Sequence, residues 1–97
     1  MRIVTFTKIK DFAEKHPIAD VALRDWYFKT KRNEWDNLND IKQTFNSVDY
    51  VGNNRYLFNI KGNDYRLFAI IIFASKKVYI RFIGTHSQYD KIDCSNI

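Results

Sequence analysis

One cysteine, one proline and three glycines are spread through this chain of 97 residues. The lone Cys94 excludes an internal disulfide and a multi-cysteine zinc site, and fits a reducing compartment. Of the two histidines His16 reads as structural, at a helix end before a proline; the other, one cysteine and scattered carboxylates give no metal-ligand spacing, so no metal or other cofactor is expected. There is no phosphate-cradling glycine loop. Ser87 has no nucleophile elbow around it, and Cys94 has no nearby helper, which argues against a serine or cysteine nucleophile. The opening MRIVTFTKIKDF lacks the apolar centre of a signal peptide. No run approaches the roughly 18 apolar residues of a membrane span; Ala69 to Ala74 is apolar throughout but far too short. The expectation is a soluble, cytoplasmic protein with no membrane partner.

What is present is a globular composition. Hydrophobic residues make up 45% and aromatics 16%, enough for one core and one small domain over residues 1–97. The formal net charge of +5 favours an anionic partner, nucleic acid or an acidic protein.

Arg2 to Thr5 reads as a short strand. Thr7 is placed to cap a helix over Lys8 to Lys15, with Ile9, Phe12, Ala13 and His16 on one face. Pro17 closes that helix and opens the next, because the residue before proline avoids the α region while proline itself suits a first helical turn. The second helix is expected over Ile18 to Arg32. Its buried stripe is Ala19, Ala22, Leu23 and Trp26, and Lys29, Lys31 and Arg32 complement the dipole in its last turn. A loop anchored by Trp35 leads to a short helix over Leu38 to Phe45. Val48 to Val51 is a short strand ahead of the Gly52-Asn53-Asn54 turn.

From Arg55 the pattern becomes three antiparallel strands. A hairpin turn at Gly62-Asn63 pairs Asn59 with Arg66, Phe58 with Leu67 and Leu57 with Phe68. A second turn at Ser75-Lys76 would pair Phe73 with Val78, Ile70 with Arg81 and Arg66 with Thr85. The side-chain period of two then gives one face without charge: Tyr56, Phe58, Leu67, Ala69, Ile71, Phe73, Val78, Ile80 and Phe82. That face should pack on the helices. The other carries Arg55, Leu57, Asn59, Arg66, Phe68, Ile70, Tyr79, Arg81, Ile83 and Thr85. Its arginines are either solvated strand residues, ion-paired to Asp64, Asp90 or Asp93, or contacts for a phosphate backbone whose bases stack on Tyr79 or Phe68.

His86, Tyr89 and Asp90 follow the last strand at once. In a helical loop Tyr89 and Asp90 lie three and four residues beyond His86, on its own side. An imidazole, a phenol, a carboxylate and the guanidinium groups of Arg66 and Arg81 would then gather at one edge of the basic face. Metal-free cleavage of RNA by the neighbouring 2′-hydroxyl needs a base, an acid for the departing 5′-oxygen, and cations around the phosphorane. Histidine suits the first two roles near neutral pH. Tyrosine, with a reference pKa of about 10, needs cations nearby to act as an acid. Arginine forks match phosphate oxygens. Each residue also has a plain structural reading: a histidine that only hydrogen-bonds, Tyr89 as a plug, Asp90 paired with Lys91.

The order N-R-Y-x-F-N-I-x-G-N-x-Y-R-L from Asn54 to Leu67, then V-Y-I-R-F-I-G-T-H-x-x-Y-D from Val78 to Asp90, resembles the HigB family. These are toxins of type II toxin–antitoxin pairs, a branch of the RelE-like mRNA interferases. Trp35 and the Asp40-Ile41-Lys42 triplet also fit. The resemblance implies an α+β fold with an N-terminal strand and a helical hairpin on one face of a mainly antiparallel sheet. It implies ribosome-dependent cleavage of mRNA in the A site, and neutralisation by a helix-turn-helix, HigA-like antitoxin. Carried over by position, Arg66 and Arg81 fit phosphate contact, and His86 and Tyr89 fit acid–base roles. Arg55, Lys61, Asn63, Tyr79 and Lys91 are candidates for guiding RNA. The competing readings are a non-catalytic RNA- or ribosome-binding module on the same sheet face, and a domain that docks an acidic protein.

Overall fold

A computed structural model of the chain describes residues 1–92 apart from Thr5 and Asn63. The expectations for Asn63, Asp93 and Cys94, and for the far end of the first strand at Thr5, therefore fall outside the described residues.

Strand β1 (Arg2–Ile3) is followed by helix α1 (Phe6–Lys15), a 3-10 turn (Pro17–Ala19), helix α2 (Asp20–Arg32) and helix α3 (Leu38–Thr44). Strands β2 (Val48–Gly52), β3 (Arg55–Ile60), β4 (Tyr65–Ile72) and β5 (Lys77–Thr85) come next, and then helix α4 (His86–Tyr89). The strands form one sheet in the order β1-β5-β4-β3-β2. Only β1 and β5 run parallel; the other pairs are antiparallel. This is the expected α+β architecture. Among the described residues no helix is long and apolar enough to cross a membrane.

Helix α1 begins earlier than expected, so Thr7 lies inside its first turn and caps nothing. Phe6 is its first residue, and its ring lies 4.6 Å from that of Tyr27 on α2. Pro17 separates the two helices, but its turn is 3-10, and α2 proper starts at Asp20. Helix α3 is capped by Asn37, whose side chain accepts from the Asp40 amide at 3.0 Å.

The core lies between the helices and one face of the sheet. Ile9, Ala13, Ala19, Leu23 and Trp26 meet Phe58, Leu67, Ala69, Ile71, Val78 and Ile80, all buried. Trp26 and Phe45 pack on Phe58 with ring centroids 5.3 and 5.5 Å away. Trp35 is buried with its Nε1–H donating to Thr44 Oγ1 at 3.1 Å, so the indole brings no unpaired donor into the core.

The β3–β4 register is the expected one, with Asn59 opposite Arg66, Phe58 opposite Leu67 and Leu57 opposite Phe68. The β4–β5 register is not. The connection takes four residues, Phe73 to Lys76, with Lys76 at φ 56° and its amide donating to the Phe73 carbonyl at 3.2 Å. Ile71 therefore meets Val78 and Ile70 meets Tyr79. The Lys76 ammonium fastens this turn to the Trp35 carbonyl and Asp36. Farther along, β5 carries a bulge between Ile80 and Phe82, so Arg81 has no cross-strand partner and Arg66 meets Gly84 in place of Thr85.

The bulge also corrects the face assignment. Phe82 pairs with Phe68 on the face away from the helices, and Ile83 turns inward against the core. Tyr56 stays on the helical face, buried between Tyr50 at 5.0 Å and Phe73 at 5.9 Å. Burial, helped by Tyr50, holds its phenol above the ordinary value of 10.0. The folded chain thus keeps this proton more tightly than the unfolded one, and stability falls as pH rises through 10 and beyond. Urea denaturation between about pH 9 and about pH 11 should show a flatter alkaline decline for Tyr56→Phe than for the parent. Identical slopes would remove Tyr56 as a cause.

Candidate active site

The face of the sheet away from the helices is closed at one end by α4. Thr85 caps this single turn: its Oγ1 accepts from the Gln88 amide at 3.2 Å, and Gln88 Oε1 accepts from the Thr85 amide at 2.9 Å. This reciprocal box satisfies two backbone donors that a four-residue helix would leave to solvent. It also aims the residues that follow. The Tyr89 ring settles over Phe68 and Phe82, with centroids 6.5 and 6.3 Å away. Leu57 and Phe68 are buried here although they lie outside the main core, so this face carries a small apolar cluster of its own.

Gly84 makes the arrangement possible. A Cβ at this position would stand 2.5 Å from Phe82 Cζ and 2.8 Å from Gln88 Oε1. Only a residue without a side chain lets the aromatic seat and the cap close over the strand.

Arg66, opposite Gly84, reaches the same place from β4. Its guanidinium carbon lies 6.0 Å from the centroid of the Tyr89 ring, a cation–π distance. Its Nε is buried without a hydrogen-bond partner. One turn of α4 away, His86 Nδ1 stands 3.1 Å from Asp90 Oδ2, with both side chains more than half exposed. A carboxylate at that position selects the tautomer whose Nδ1–H donates to it and leaves Nε2 free to take a proton. Neither Arg66 nor Arg81 forms an ion pair among the described residues; Asp64 is used by Lys61 at 3.5 Å and Asp90 by His86.

Of the four residues expected to act together, Arg66 and Tyr89 meet, His86 opens the short helix that carries Tyr89 and pairs with Asp90, and Arg81 lies apart. The bulge carries Arg81 to the outer side of β5, against Lys8, Asp11 and Lys15 of α1. The RNA-guiding candidates are spread out. Arg55 pairs with Ile70 and Tyr79 also faces Ile70, about 13 Å along the strand from Arg66. Lys61 sits in the β3–β4 turn, and Lys91 is exposed just beyond α4. The sequence sets Asn59 opposite Arg66 in register but gives it no role in the site. The structure sets it opposite Arg66, its Nδ2–H₂ donating to Ser47 Oγ and its Oδ1 buried without a partner. Among the described residues no three His, Cys, Asp or Glu side chains gather as a metal site.

Comparison with known proteins gives a consistent picture. A family profile described as HigB toxin, RelE-like toxic component of a toxin–antitoxin system, matches residues 19–92. The mRNA interferase toxin HigB of Escherichia coli K12 is 33% identical over 93 residues, covering 93% of this chain and 88% of that protein. The mRNA interferase HigB of Shigella flexneri gives the same figures. The mRNA interferase HigB of Escherichia coli O6:H1 is 27% identical over 94 residues, 95% of this chain and 91% of the relative.

Gly84→Ala should cost about 1–3 kcal/mol through overpacking against Phe82 and should displace Tyr89. Urea midpoints together with the NMR resonances of the Tyr89 ring read both effects. A variant with unaltered midpoint and unaltered Tyr89 resonances would contradict this account of the seat.

Proposed function

Because the chain belongs to the HigB family of RelE-like toxins, the toxic components of toxin–antitoxin systems, we propose that it is an mRNA interferase. In this reading it is a cytoplasmic endoribonuclease that cuts messenger RNA in the ribosomal A site without a metal ion. A HigA-like helix-turn-helix antitoxin neutralises it, and the whole chain is one toxin domain. The observation that carries the assignment is the placing of the Arg66 guanidinium over Tyr89, one helical turn from the His86–Asp90 pair.

The chemistry follows from those groups. His86 Nε2 removes the proton from a 2′-hydroxyl while Asp90 holds Nδ1–H and steadies the imidazolium that forms. The 2′-oxygen attacks the adjacent phosphorus, and Arg66 offers its fork to the phosphorane oxygens, where charge accumulates. The bond to the 5′-oxygen breaks, and the Tyr89 phenol supplies the proton that this oxygen needs. The Arg66 cation beside the ring favours the phenolate left behind. The products are a 2′,3′-cyclic phosphate and a 5′-hydroxyl end. Asn59 borders this centre, and Arg55 and Tyr79 lie farther along the same face, where a strand leaving the scissile phosphate would pass.

Primer extension on cellular mRNA after brief induction tests the reading. The intact protein should give cuts inside translated codons, and His86→Ala or Arg66→Ala should reduce them by at least about 100-fold, the scale of one general acid–base group. Cuts that persist in His86→Ala would move the base elsewhere. No cuts from the intact protein in a translating cell would leave a non-catalytic ribosome-binding module as the better reading.

A further inference from the structure

The groove to which the bulge delivers Arg81 lies outside the proposed cleavage face. It runs between α1 and the outer side of β5, a hollow of about 270 Å³ bordered by Lys8, Asp11, Phe12 and Lys15 on one wall and by Arg81 and Phe82 on the other. Lys8, Lys15 and Arg81 are all exposed. Four cations outside the groove, Arg24, Lys29, Lys61 and Lys76, each pair with an aspartate, while others such as Lys31, Arg32 and Lys42 form no ion pair among the described residues. What sets the groove apart is that three cations converge on one hollow. The three in the groove form no ion pair among the described residues, and neither does Asp11, the one carboxylate beside them. The groove therefore holds an uncompensated excess of positive charge.

Its geometry is regular. Lys8 and Lys15 are seven residues apart on a helix, nearly two turns, so they lie on one face about 10 Å from each other. Arg81 faces them across the groove. The aromatic rings at the groove are already engaged: Phe12 stacks on His16 at 4.3 Å and meets Tyr65 at 5.6 Å, and Phe82 seats Tyr89. The groove offers charge without a stacking platform. A single strand is normally held by stacking its bases, whereas a duplex is held by its phosphates and its shape.

We propose that Lys8, Lys15 and Arg81 form a second RNA contact, one that docks the phosphate backbone of a double-helical RNA while the opposite face of the sheet handles the strand to be cut. This rests on the reading of the chain as an RNA-directed toxin. It assigns Arg81 to positioning the protein on structured RNA and takes it out of the reaction.

The test uses the full chain in a His86→Ala background, which keeps the probe intact. Affinity for a labelled RNA hairpin and for an unpaired strand of matched length is measured over a range of salt. Lys8→Gln/Lys15→Gln/Arg81→Gln should lower the slope of log affinity against log salt by about 2–3 for the hairpin, close to one for each phosphate no longer neutralised. The charge-matched control Lys31→Gln/Arg32→Gln/Lys42→Gln should leave that slope unchanged. Lys15→Gln alone, a surface change that leaves the fold intact, should lower it by about one. Equal slopes for groove and control variants would overturn the proposal. So would a loss confined to the unpaired strand, or a groove variant that binds the hairpin normally and fails only to capture its antitoxin. Cleavage plays no part in the readout, so failure here is distinct from failure of the nuclease reading, which primer extension decides.

Discussion

The extra residue that β5 inserts between Ile80 and Phe82 determines what each side of the sheet displays. Before the bulge, Val78 and Ile80 point at the helices and complete the main core. After it the alternation is reversed, because side chains alternate with a period of two and one inserted residue moves every later one to the opposite face. Phe82 is thereby brought beside Phe68, where the pair seats Tyr89, and Ile83 is returned to the core. Without that reversal Phe82 would be buried under α1, and Tyr89 would have one aromatic neighbour fewer.

Two apolar clusters of unequal size result, and they do different work. The larger, between the helices and the sheet, contains Trp26, Trp35, Phe58 and Leu67, and burial on this scale dominates stability. The smaller, Leu57, Phe68, Phe82 and Tyr89, stands on the opposite face and holds α4 in place. A helix of four residues has no stability of its own. Its position rests on the Thr85–Gln88 box, the aromatic seat and the absence of a side chain at Gly84. Polar chemistry is thus presented from a short element whose orientation is fixed by apolar packing beneath it.

The electrostatics of the two sides differ in the same way. On the face that carries α4 one guanidinium is partly buried against a phenol and has an unpaired Nε. On the groove side three exposed cations stand free of the surrounding aspartates. The first arrangement suits a contact that strengthens as charge develops on a reacting phosphate. The second suits long-range attraction, which salt screens within about 8–10 Å.

The helices, the strands and the β3–β4 register were all readable from local signals. Pro17 marked the break between helices, and Gly62 marked the turn that sets Asn59 opposite Arg66. The motif around His86 and Tyr89 was readable too, because residues three and four apart share a helix face whatever the rest of the chain does. The β4–β5 register was not, since its turn closes through Lys76 in the left-handed region, held by contacts to Trp35 and Asp36 some forty positions away. The bulge was equally hidden: alternation in the sequence runs on past Arg81 without a break, and only packing against α1 and Tyr89 selects the extra residue. The sequence by itself determined which groups capable of RNA chemistry the chain carries and which turns bring most of them close. Tertiary structure alone decided that Arg66 and not Arg81 joins Tyr89, because face assignment beyond a bulge depends on what each side of the sheet must bury.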